Sequence, residues 1–172
     1  MNPQVKMELS NGKVIELELF RDVAPISVEN FIKYAKDGFY EGTIFHRIIR
    51  GFMIQGGGFY IDGMTVKQKE PTYPPIKGEF QSNGVKNDIK HVTGVLSMAR
   101  TGVKDSGTSQ FFICSATSPH LDGEYAAFGR VTNKEGLDAV AEMEKCRTGS
   151  LGMYMHDFPV EPVSIVKVTI SE

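Results

Sequence analysis

The sequence has no tryptophan, only two cysteines and no excess of either charge. Cys114 and Cys146 are too few and too far apart for a disulfide framework or a metal knuckle, so two free thiols are expected. Lysine and arginine number 19 against 21 acidic residues, a formal charge of -2. No overall field draws such a chain to nucleic acid or an anionic membrane. Nothing approaches the run of roughly 18 apolar residues that a membrane span needs. The opening Met1-Asn2-Pro3-Gln4 lacks the basic-then-apolar character of a leader, so a cytoplasmic location is expected. Internal repeats and low-complexity segments are absent too.

What is present is an ordinary globular composition, 41% hydrophobic and 23% charged over 172 residues, which sets one domain spanning 1–172 as the expectation. Val5, Met7 and Leu9 alternate with polar residues, as do Ile15, Leu17 and Leu19, and Asn11-Gly12 between them suits a hairpin turn. Pro25 and Ser27 supply helix-start chemistry, Val28, Phe31, Ile32 and Ala35 follow at helical spacing, and Gly38 can end the helix. Short apolar segments at Phe52 to Gln55, Val95 to Met98, Gln110 to Ser115 and Ala126 to Val131 read as strands between loops. A second helix over 135–146 carries Leu137, Val140, Ala141 and Glu144, and Val163 to Ile170 alternates as a last strand. The stretch from Gly58 to Val92 reads as long loops. Many short strands with two isolated helices suggest a barrel.

Several chemistries lack their signatures. Gly56-Gly57-Gly58 has neither the lysine and hydroxyl of a phosphate loop nor a dinucleotide spacing. His46, His91, His120 and His156 show no paired zinc spacing, so no metal is expected. Ser97 or Ser109 could be joined on paper with a histidine and an aspartate, but no nucleophile elbow supports a hydrolytic triad.

The most specific segments are Phe45-His46-Arg47-Ile48-Ile49-Arg50-Gly51-Phe52-Met53-Ile54-Gln55-Gly56-Gly57, Gly94-Val95-Leu96-Ser97-Met98-Ala99-Arg100 and Ser109-Gln110-Phe111-Phe112-Ile113. Together they resemble the cyclophilin family. Leu121-Asp122-Gly123, Phe128-Gly129-Arg130-Val131 and Pro159-Val160-Glu161-Pro162 extend the resemblance over nearly the whole chain. Ala99-Arg100-Thr101 and the loop to Ser109 are similar to bacterial members. The resemblance implies a mainly β fold, a closed eight-stranded antiparallel β-barrel capped by two α-helices, with proline-containing peptides bound in an outer groove. It also implies peptidyl-prolyl cis-trans isomerase activity on proline-containing peptides and unfolded protein clients; rotation about an amide needs no nucleophile or cofactor, and a monomer is the default expectation.

By the same resemblance, Arg47 is the catalytic donor and Phe52, Met53, Phe112 and Leu121 hold the proline ring. Gln55 and Gln110 orient the arginine and the substrate backbone, Ala99 and Arg100 form the strip for preceding residues, and His120 and Tyr125 complete the groove. The sequence departs from the common family wording at His120, where many members carry tryptophan, so cyclosporin binding is expected to be weak. Tyr125 replaces a common histidine, Arg50 a usual proline and Gly58 a frequent aspartate, and the segment from Tyr60 to Pro75 follows no close family pattern. Two other readings stay open, a proline-peptide module without catalysis and a barrel carrier for apolar ligands, the second requiring a hollow interior.

Overall fold

A computed structural model describes residues 1–153 and 155–172. Its strands are β1 (Gln4–Leu9), β2 (Val14–Leu19), β3 (Arg47–Ile49), β4 (Met53–Gly56), β5 (Phe59–Asp62), β6 (Thr65–Gln68), β7 (Val95–Met98), β8 (Phe111–Cys114), β9 (Ala127–Val131), β10 (Thr148–Leu151), β11 (Met155–Pro159) and β12 (Ile165–Ser171). The helices are α1 (Pro25–Lys36) and α2 (Lys134–Glu144). None of the described helices is long and apolar enough to cross a membrane.

Eight strands form one antiparallel sheet in the order β12-β1-β2-β9-β7-β8-β4-β3. The expected barrel is therefore present, but its ladder is not continuous all the way round. At the seam between β3 and β12, Ile44 and Ser164 form an isolated bridge, with Phe45 N–H donating to Val163 O and Ile165 N–H to Thr43 O. Pro162, which has no amide proton to donate, lies just before this seam.

Alternation along the strands sorts side chains between two apolar clusters. Ile54, Leu96, Phe111, Ile113 and Phe128 point inward with Met7, Ile15 and Leu17 into the main core. Phe31 on α1 meets this core, its ring 5.6 Å from Phe111 and 5.8 Å from Phe128. The interior is packed with side chains, so the hollow carrier is set aside. Met53, Phe112 and Cys114 point outward into a smaller cluster with Val95, Leu121 and Ala127.

The structure adds two hairpins to those expected. β5 and β6 lie within the stretch read as loops, where Asp62 pairs with Thr65 and leaves Gly63-Met64 as the turn, Gly63 having a φ of 63°. The alternation there is weak because both strands are largely exposed, leaving no buried face to mark them. β10 and β11 form the second pair, with β11 beside β3. α2 also buries a different stripe from the expected one: Gly136, Ala139, Val140 and Met143 face inward, while Leu137 is 38% exposed.

α1 begins with Pro25 in its first turn as anticipated, but Ser27 is not its cap. The N-terminal N–H groups of Ile26 and Ser27 donate to the Glu79 carboxylate at 3.1 and 2.7 Å, and Ser27 Oγ donates to it at 2.8 Å. A buried acid far along the chain thus satisfies donors that a local side chain usually takes.

Candidate active site

The outer cluster borders a surface hollow of about 160 Å³. Its apolar lining comes from Phe52, Met53, Phe112 and Leu121, and its polar side from Arg47, Gln55 and Arg100, with Ala99 and Tyr125 completing the wall. The sheet register explains why residues so distant in sequence meet. Arg47 pairs with Gln55, Gln55 with Phe112 and Phe112 with Ser97, across β3, β4, β8 and β7.

On β3, Ile48 is buried while Arg47 is exposed beside the hollow. Arg47 Nη1 donates to Gln55 Oε1 at 3.2 Å, and Gln55 Nε2 donates to Gln110 Oε1 at 2.9 Å. The guanidinium is therefore oriented by a short amide chain, and its other N–H groups make no hydrogen bond among the described residues. Gln110 does not line the apolar hollow. It borders a neighbouring depression with Gln55, Thr101 and Thr108.

The glycine run dismissed as a phosphate loop has a packing reason. Gly57 has a φ of 87°, and a Cβ there would lie 2.8 Å from the Phe111 ring. The chain leaves β4 by this turn, and Ser109 Oγ donates to the Gly57 carbonyl at 2.8 Å.

Tyr125 meets Phe112 edge to face, ring centroids 5.8 Å apart. Arg100 lies between the rings of Phe80 and Tyr125, 4.9 and 4.5 Å from their centroids. Its Nε and Nη2 both donate to the Glu124 carbonyl, which holds the guanidinium flat along the wall. Phe80, which gives Arg100 its second face, was not foreseen, since it sits in the stretch read as loops. His120 is at the rim: it is exposed and its ring is 5.5 Å from that of Phe52, but it does not line the hollow.

Two buried histidines are held neutral. Burial, reinforced by the charge of Arg47, pushes His46 down to about 4, and its Nδ1 has no hydrogen-bond partner among the described residues. Burial also lowers His91, against the opposing pull of Asp122. The triad that looked possible only on paper does assemble spatially, as His91 lies between Asp122 and Ser97. Ser97 is 0% exposed, so this grouping does not reach a substrate. A lone serine in the apolar run Val95-Leu96-Ser97-Met98 was the available signal.

The chain belongs to the cyclophilin type peptidyl-prolyl cis-trans isomerase family, whose model matches residues 4–170. It is 44% identical over 174 residues to a peptidyl-prolyl cis-trans isomerase of Acinetobacter baylyi, covering 98% of this chain and 86% of the relative. It is 43% identical over 176 residues to peptidyl-prolyl cis-trans isomerase B of Escherichia coli, covering 98% and 99% of the two chains. Among solved structures, a Cryptosporidium parvum cyclophilin type isomerase crystallised in the presence of the dipeptide Ala-Pro matches with a TM-score of 0.76 and 30% identity, covering 98% of this chain and 99% of that one.

Proposed function

We propose that the hollow between Arg47 and Phe112 takes the proline ring of a peptide and that Arg47 catalyses rotation about the preceding X-Pro bond. The observation that carries this reading is the exposed guanidinium of Arg47 beside a hollow of about 160 Å³ whose apolar wall is Phe52, Met53, Phe112 and Leu121. The relative crystallised with Ala-Pro supports the choice of peptide.

Rotation about a peptide bond meets a barrier of roughly 18–20 kcal/mol because the nitrogen lone pair is delocalised into the carbonyl. For X-Pro the uncatalysed exchange takes roughly tens to hundreds of seconds. As the bond twists, the prolyl nitrogen becomes pyramidal and recovers its lone pair. An N–H of Arg47 aimed at that nitrogen gains strength only in the twisted state, which lowers the barrier rather than merely tightening binding. Arginine suits this because its donors are fixed in a plane and its charge is permanent. Phe52, Met53, Phe112 and Leu121 hold the ring by burial and dispersion, leaving the preceding carbonyl free to swing. Gln55 and Gln110 set the guanidinium and the substrate backbone, and Ala99, Arg100 and Tyr125 border the preceding residues.

The same reading makes residues 1–172 one catalytic domain, working as a monomer on proline-containing, unfolded clients. Two unpaired thiols, Cys114 and Cys146, suit a reducing cytoplasmic compartment. Cyclosporin is expected to bind weakly, since His120 offers a small polar ring at the rim.

The test follows cis-to-trans conversion of an X-Pro peptide with wild type and Arg47→Ala. A rate loss of about a hundredfold or more is expected on removing the donor. Equal rates with peptide still bound would instead assign the groove to a binding module without catalysis.

A further inference from the structure

Behind the apolar hollow, three polar side chains from three segments meet, and none has a part in the chemistry described above. The His91 ring is fully buried, with Nδ1 3.0 Å from Asp122 Oδ1 and Nε2 2.9 Å from Ser97 Oγ. The His91 backbone N–H donates to the same carboxylate oxygen at 2.7 Å. Burial opposes ionisation of Asp122, but these bonds outweigh it and hold the carboxyl below its ordinary value. An ionised carboxylate can only accept, so the His91 proton sits on Nδ1 and Nε2 accepts from the Ser97 hydroxyl. The order of groups is that of a nucleophile triad, yet the buried Ser97 Oγ offers no approach to an acyl carbon.

What the string does touch is the proline hollow. The His91 ring lies nearly parallel to that of Phe112, at 21° with centroids 6.1 Å apart. Ser97 is the cross-strand partner of Phe112. Asp122 directly follows Leu121, which also lines the hollow. One imidazole therefore ties the turn carrying Leu121 to the strand facing Phe112 while bracing the Phe112 ring.

We propose that the Asp122, His91 and Ser97 string is a positioning device that keeps the hollow preformed, and that His91 is its central positioning residue. The inference rests on the proposed use of this hollow for a proline ring. Because the ring is held alike in the planar and the twisted peptide, losing the string weakens binding and leaves turnover nearly intact.

The test uses the full chain. His91→Phe keeps a flat ring behind Phe112 but cuts both hydrogen bonds, and Ser97→Ala removes one oxygen. Each is expected to bind an Ala-Pro-containing peptide about tenfold more weakly, with kcat within about twofold of wild type. Phe112 aromatic resonances should shift or broaden in both. In wild type, nitrogen resonances of His91 should show a protonated Nδ1 and an unprotonated Nε2. Tyr40→Phe removes another buried hydrogen bond, to the Ser109 carbonyl at 2.9 Å, and should lower Tm without changing peptide affinity. Wild-type affinity with unmoved Phe112 resonances in both variants, or a proton on Nε2, would overturn the proposal. If His91→Phe does not fold, Ser97→Ala and the tautomer still decide it. If Arg47→Ala proves as fast as wild type, affinity and resonances still report on the string.

Discussion

Arg47 and Gln55 face each other across the β3–β4 ladder, and one amide oxygen of Gln55 accepts the 3.2 Å hydrogen bond that orients the guanidinium. Gln55→Leu should lower kcat/KM about tenfold, equivalent to about 1.4 kcal/mol of transition-state stabilisation, with little change in Tm. Gln55→Glu should recover most of the activity, because a carboxylate still accepts from Arg47 and Gln110 can turn its amide to donate. Wild-type kcat/KM in the leucine variant would show that Arg47 orients itself.

Acid should weaken the fold before most carboxylates titrate. His46 is neutral in the fold down to about 4, whereas an unfolded imidazole charges near 6.5. Between those values the unfolded chain binds the extra proton, so stability falls as pH drops from about 6.5 to 4 and this contribution then levels off. His91, also lowered by burial, adds in the same direction. For His46 the full effect is about 3 kcal/mol. Urea titrations at several pH values should show a shallower slope in His46→Phe, and an unchanged slope would remove His46 as the source.

Glu79 is 3% exposed and serves as the cap of α1. Glu79→Ala strands two helix N–H groups and the Ser27 hydroxyl, at a cost of about 2 kcal/mol. Glu79→Gln should lose less, since its carbonyl still accepts. A loss under about 0.5 kcal/mol on chemical denaturation of the alanine variant would mean that water replaces the carboxylate.

His120 rests against Phe52 at the rim. His120→Trp should enlarge that apolar edge and strengthen cyclosporin inhibition about tenfold, while isomerase activity is retained. Unchanged inhibition in a dose-response assay would sink the link between this position and the drug.

Legibility from sequence followed burial. β1, β2, β7, β8 and β9 alternate or run apolar because one or both faces are covered, and they lie within a residue or two of their expected places. β5 and β6 escaped because neither has a fully buried face to impose a period. Leu137 misled the reading of α2: it is a large apolar residue on the outer side, whereas small Gly136 and Ala139 make the close packing inside. The groove residues were legible as an ordered motif, but no local pattern could show that His91, Ser97 and Asp122 meet, or that Glu79 caps a helix 52 residues earlier. Such contacts are created by sheet register and loop path.

Neighbouring residues on β4 and β8 belong to different clusters: Ile54, Phe111 and Ile113 build the barrel, while Met53 and Phe112 build the hollow. Because each strand serves the two through opposite faces, a substitution at Met53 or Phe112 reshapes the wall of the hollow without replacing a side chain of the main core. Adjacent positions on one strand thus answer to different neighbours, the barrel interior on one side and the hollow on the other, one odd–even step apart.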